Sequence, residues 1–75
     1  MKPLFDLSFR KIQYYLMVVE EGSLTRAAKR LFISQPMLSK AVKELEQELA
    51  IQLFKREGKY LEVTFAGRYL YEQWY

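Results

Sequence analysis

Past Ser34 the sequence places a set of residues suited to one kind of chemistry on one side of a helix. At about 100° per residue, Gln35, Pro36, Ser39, Lys40 and Lys43 cluster opposite Leu38, Ala41, Val42, Leu45 and Leu49. A carboxamide such as that of Gln35 offers a paired donor and acceptor matching an adenine edge. Ser39 is short enough to let a helix approach closely and can donate or accept. Lys40 can reach guanine O6 or N7, Lys43 is suited to a phosphate, and the Pro36 ring can pack on a thymine methyl. The free N–H groups of the helix start favour phosphate as well. Glu46 returns to this face about one turn later, where a helix lying in a groove is already leaving it.

Other chemistries lack their residues. The 75 residues include no histidine and no cysteine, which removes the commonest general base, the commonest metal ligand, any disulfide and any thiolate nucleophile. The remaining acids fall mainly on a solvent-facing helix surface, so neither catalysis nor a metal or cofactor is expected. The net charge is only +3, but its distribution is informative. From Gly22 to Lys43 there is no acid, and Arg26, Lys29, Arg30, Lys40 and Lys43 stand between Glu20 and Glu21 on one side and Glu44, Glu46 and Glu48 on the other. That is the footprint of phosphate contact; a solvated basic face without a partner is the plain alternative. No apolar run approaches the roughly 20 residues that span a bilayer, and Met1 to Asp6 lack a signal-peptide pattern. A cytoplasmic domain with no membrane contact is expected.

The elements that must position this face follow from periodicity and caps. Phe9, Ile12, Tyr15, Leu16 and Val19 form a helical stripe from about Ser8 to Glu21, with Ser8 or Asp6 as cap and Gly22 as stop. Tyr14, Met17 and Val18 fall outside the stripe and either lie under a later element or face another subunit. Ser23 caps a short second helix whose apolar face is Leu24, Ala27, Ala28 and Leu31. Phe32 to Ser34 make a tight turn. Ser34 then caps a helix from Gln35 to Leu49 or Ala50, with Pro36 tolerated in its first turn. Gln52 to Arg56 and Leu61 to Thr64 read as short strands joined by Glu57 to Tyr60, a wing carrying Lys55, Arg56 and Lys59. Thr64 caps a fourth helix over 65–75.

The expected fold is mainly α: a winged helix-turn-helix over 7–64, with a three-helix core and a short two-stranded β-wing, followed by the start of a linker helix. The helix-turn-helix itself occupies about 24–43 and the wing about 52–64. A domain this small with no staples often gains stability from a second subunit.

The stretch from Tyr15 to Gly67 closely resembles the N-terminal winged helix-turn-helix of LysR-type transcriptional regulators. The words that carry the resemblance are EEGSLTRAAKRLFISQPMLSKAVKELEQELAIQLFKR and, after the wing, LEVTFAG. It implies a bacterial transcription factor that binds double-stranded DNA at an interrupted palindrome as a homodimer. The recognition helix would enter the major groove, the wing would meet the minor groove, and the linker helix would pair antiparallel with that of a second subunit. By motif, Gln35, Pro36, Ser39 and Lys40 become base readers. Ser23, Thr25 and Ser34 become backbone or phosphate contacts, joined by Arg30 and Lys43. Arg56, with Lys59, belongs at the minor groove. Tyr14, Met17, Val18, Phe65, Tyr69, Leu70 and Trp74 are the expected dimer interface.

Two positions depart from the family pattern. Lys40 stands where arginine is usual and lacks its rigid bidentate fork. Ala50 stands where glycine is common, at a cost on the order of 1 kcal/mol if that residue needs a positive φ. A C-terminal domain that binds a small-molecule inducer is typical of the family and absent from this sequence, so an excised DNA-binding fragment is expected. The competing function is a protein-interaction winged helix, which would put large apolar anchors where Ser39, Lys40 and Lys43 stand.

Overall fold

The computed structural model describes residues 4–57 and 60–74, with side chains over 9–55 and 61–74. The elements are α1 (Leu4–Glu21), α2 (Leu24–Leu31), α3 (Gln35–Leu49), β1 (Phe54–Glu57), β2 (Tyr60–Val63) and α4 (Phe65–Trp74). This is the winged helix-turn-helix expected from the sequence.

Local chemistry sets the helix ends. Gly22, at φ 68°, closes α1 with its N–H on the Val18 carbonyl. The Ser23 hydroxyl accepts from the Arg26 N–H and starts α2, and Ser34 accepts from Met37 to start α3. Both α2 and α3 end in a left-handed residue that is not glycine. Phe32 has φ 58° and Ala50 has φ 56°. Each end carries the paired bonds of a Schellman closure: Phe32 to Lys29 with Ile33 to Ala28, and Ala50 to Gln47 with Ile51 to Glu46.

The core gathers Tyr15 and Val18 of α1, Ala27 and Ala28 of α2, Leu38, Val42 and Leu45 of α3, and Leu53 and Phe54 at the head of the wing. The small Ala27–Ala28 face lets the other two helices close over α2. Tyr15 lies at the centre. Its ring meets Phe54 at 5.3 Å and Trp74 edge-on at 6.2 Å, and its hydroxyl donates to the Gly67 carbonyl. Gly67 is buried where α4 crosses the head of the wing. A Cβ there would land on the Leu53 carbonyl oxygen and sit 2.9 Å from the Tyr15 hydroxyl.

Several expectations are corrected. Helix α1 begins by Leu4, so Ser8 and Asp6 lie inside it and neither is its cap; nothing between 4 and 21 breaks a helix, and a capping residue type is only a preference. Its buried side is centred on Tyr15 and Val18, while Phe9 of the expected stripe is 60% exposed. The strands start two residues later and one residue earlier than expected. Leu53 is taken out of the ladder because its N–H turns to the Glu46 carboxylate, and the Gln52 carbonyl accepts from the Thr64 hydroxyl. The antiparallel register is Phe54 with Val63, Lys55 with Glu62, Arg56 with Leu61 and Glu57 with Tyr60. Gly58, Lys59 and Tyr75 lie outside the described residues, and so does the side chain of Arg56.

Candidate nucleic-acid interface

Helix α3 faces two ways, as its sequence requires. Leu38, Val42 and Leu45 are buried, while Gln35, Pro36, Lys40 and Lys43 are exposed and Ser39 is half-buried. Pro36, Ser39, Lys40 and Lys43 line one shallow, open depression, and Glu44 and Gln47 complete its border. The expected base-reading residues other than Gln35 thus share a continuous surface, to which Gln47 belongs without having been singled out.

The expected backbone-contact residues divide. Ser23 and Ser34 use their hydroxyl oxygens to cap α2 and α3, which leaves each hydroxyl proton as a donor. Thr25 and Lys43 are exposed. Arg30 is also exposed, but its guanidinium lies 2.7 Å from the largely covered Glu21 carboxylate. Arg26 approaches the same carboxylate at 3.8 Å and donates to the Glu21 carbonyl at 2.6 Å, closing the end of α1. Arg30 reaches a phosphate only by sharing or leaving Glu21.

The acids near the end of α3 were set aside by sequence reasoning, yet they fix the helix in place. Glu48 receives Lys11 of α1 at 2.6 Å, and Glu44 lies 3.5 Å from the same ammonium. The hydrogen bond to Glu48 is the main reason the Lys11 pKa is raised above its ordinary value; burial opposes it. One Glu46 carboxylate oxygen accepts from the Leu53 N–H at 2.7 Å and the Phe54 N–H at 3.0 Å. A signal for these roles was available. Acids are unfavourable at a helix C-terminus, and three of them with no basic residue in the last turn call for partners elsewhere in the fold.

Of the residues expected at a dimer interface, Val18 is wholly buried in the domain's own core and is not open to a second subunit. It belongs to the core cluster shared with residues of α2 and α3, in keeping with the first of the two placements its spacing allowed. Tyr14, Met17, Leu70 and Trp74 are half-buried against that core, because α4 packs back onto α1. Phe65 and Tyr69, one helical turn apart, are 94% and 57% exposed and remain open. Among the described residues no helix is long and apolar enough to cross a membrane, and no group of three or more acids could hold a metal ion.

Comparison with known proteins agrees with this geometry. The chain is 43% identical over 61 residues to the HTH-type transcriptional regulator ClcR of Pseudomonas putida, covering 81% of this chain and 21% of that regulator. The chain therefore spans about a fifth of the length of that relative. Among solved structures, the BenM DNA-binding domain in complex with catB site 1 DNA superposes with a TM-score of 0.81 at 42% identity, over 85% of this chain and 69% of that one. The CbnR DNA-binding domain in complex with DNA gives a TM-score of 0.82 at 37% identity, over 87% and 75%. The family model for bacterial regulatory helix-turn-helix proteins of the lysR type matches residues 9–68. With most of its length inside that match, the chain belongs to the LysR family of bacterial regulatory helix-turn-helix proteins.

Proposed function

We propose that this domain binds double-stranded DNA sequence-specifically, with α3 in the major groove and the wing at the flanking minor groove. The observation that carries the reading is the shallow surface lined by Pro36, Ser39, Lys40 and Lys43, backed by the buried Leu38, Val42 and Leu45. A face of short polar and cationic groups over a rigid apolar seat suits a groove better than it suits a protein partner. Gln35, Pro36, Ser39 and Lys40 read bases. Lys43, Ser23, Thr25 and Ser34 hold the backbone, and Arg56 and Lys59 serve the minor groove. That BenM and CbnR domains of the same fold have been solved with DNA supports the assignment.

The domain acts as one half of a homodimer on an interrupted palindrome, as part of a cytoplasmic transcription factor whose inducer binds a separate domain. It needs no cofactor of its own and catalyses nothing. Phe65 and Tyr69 are the exposed aromatic residues of α4 that a second copy would cover.

Selection of duplexes from a random pool, followed by anisotropy titration at several salt concentrations, tests the reading. Tight binding to one half-site, with log affinity falling linearly against log salt, is expected. Lys40→Ala removes about 1–3 kcal/mol of discrimination at one base pair, whereas Lys43→Ala weakens all duplexes alike. A chain that selects no duplex, or variants that leave duplex binding unchanged, overturns the proposal in favour of a protein-interaction module.

A further inference from the structure

Glu46 occupies an unusual place for an acid. It sits in the last turns of α3, where the helix dipole disfavours it, and at about 100° per residue it lies on the side of the helix that carries Gln35 and Ser39. An uncompensated carboxylate there would repel the phosphates that Lys43 attracts. Instead its oxygen takes two successive backbone N–H groups at the head of β1, Leu53 at 2.7 Å and Phe54 at 3.0 Å. Both of those residues are buried, at 0% and 7% exposure. The backbone of the same residue is engaged too, since the Glu46 carbonyl accepts from the Ile51 N–H. Residue 46 therefore closes the connection from the recognition helix to the wing from main chain and side chain together. Hydrogen bonds to an ionised acceptor are the shorter and stronger kind, and two of them on adjacent peptide groups fix direction as well as distance.

From this geometry we infer that Glu46 is a positioning residue that sets the wing against the recognition helix, so that half-site and flanking minor groove are read as one rigid unit. The inference rests on the DNA-binding proposal above. Glu46 does not itself touch DNA; it fixes where the base of the wing stands when α3 is seated in the major groove. Without it, α3 retains its own contacts and the wing loses its register to them.

The test compares wild type, Glu46→Ala and Glu46→Gln on two duplex sets built around the selected half-site. One set varies half-site bases, and the other varies only A·T against G·C in the flanking minor groove. Urea melts of each free protein report folding. Glu46→Ala is expected to keep its half-site preference and lose its flank preference. Glu46→Gln is expected to keep both, because a carboxamide oxygen can accept the same two N–H groups. If Glu46→Ala does not fold, Glu46→Asp, which keeps the charge on a tether one methylene shorter, is judged by the same criterion. A folded Ala or Asp variant that retains the flank preference overturns the inference. So does one that loses flank and half-site preference in equal measure, which marks a purely structural residue. A wild type without any flank preference overturns the wing reading itself, and the inference with it.

Discussion

A methyl group at position 67 would fall on the Leu53 carbonyl oxygen, with the Tyr15 hydroxyl and Val63 as its next neighbours. A peptide carbonyl is not a flexible tip that can swing aside, so α4 itself would have to lift. Gly67→Ala is expected to destabilise the domain by about 3 kcal/mol, at the upper end of ordinary overpacking, and a urea melt measures it. The residue stands inside the word LEVTFAG that marks the family, but its reason was not legible there. It depends on the close approach of the Leu53 carbonyl and of the Tyr15 hydroxyl, the latter 52 residues away, and no local pattern encodes that approach.

Tyr15 has a pH signature of its own. Burial pushes its phenol up to about 12 from an ordinary 10. The folded state then holds a proton that the unfolded chain has already released, so the stabilising contribution is complete below pH 10 and declines as pH rises from 10 towards about 12. Thermal melts across that window should fall for wild type and fall less for Tyr15→Phe. At neutral pH the same variant should lose about 1 kcal/mol, because the Gly67 carbonyl forfeits its donor. Equal slopes for the two proteins in the alkaline window would show that Tyr15 is not the titrating group.

Among elements, α2 and α3 were the most legible because serine caps, an early proline and a compact turn bound them on the page. The weaker readings came where tertiary contacts override local signals. Nothing near Ser8 stops α1 from beginning earlier, and the stripe drawn through Phe9 lost to the side centred on Tyr15 and Val18. The strand heads moved because Glu46 and Thr64 take backbone groups that a simple ladder would have used. On the recognition helix the two faces were legible in full, whereas the partners of its three late acids were not.

The end of α3 offers a direct check on the family departure at Ala50. Its φ of 56° and ψ of 35° place a Cβ in the left-handed region, so Ala50→Gly is expected to stabilise the domain by about 1 kcal/mol. Calorimetry would detect this as a higher Tm; an unchanged or lower Tm would mean that glycine's freedom in the unfolded chain offsets the relief.

For the whole molecule, the charge pattern is less simple than the acid-free window suggests. Arg26 and Arg30 converge on Glu21, and Lys11 joins Glu44 and Glu48. The number of counterions released on DNA binding should therefore follow exposed cations such as Lys40 and Lys43 of α3, not the count of basic residues. The fold class and the division of α3 into an apolar and a polar, cationic side were legible because both rest on short-range periodicity. The orientation of α4, which settles which aromatics stay open, rests on packing against α1 and was not.

One arrangement at the wing's base bears on how the domain comes apart. The Leu53 N–H is held by Glu46 of α3, while its carbonyl accepts from Thr64, whose own hydroxyl oxygen caps α4 through the Gly67 N–H. A two-stranded hairpin is marginal alone, and this one has its first peptide groups tied to helices on both sides. It cannot peel away on its own while α3 and α4 persist, so the wing's base, α3 and α4 should form one foldon. Native-state hydrogen exchange should then give the Leu53 amide the same opening free energy as the α3 core amides. A markedly lower value would mean that the base of the wing opens on its own.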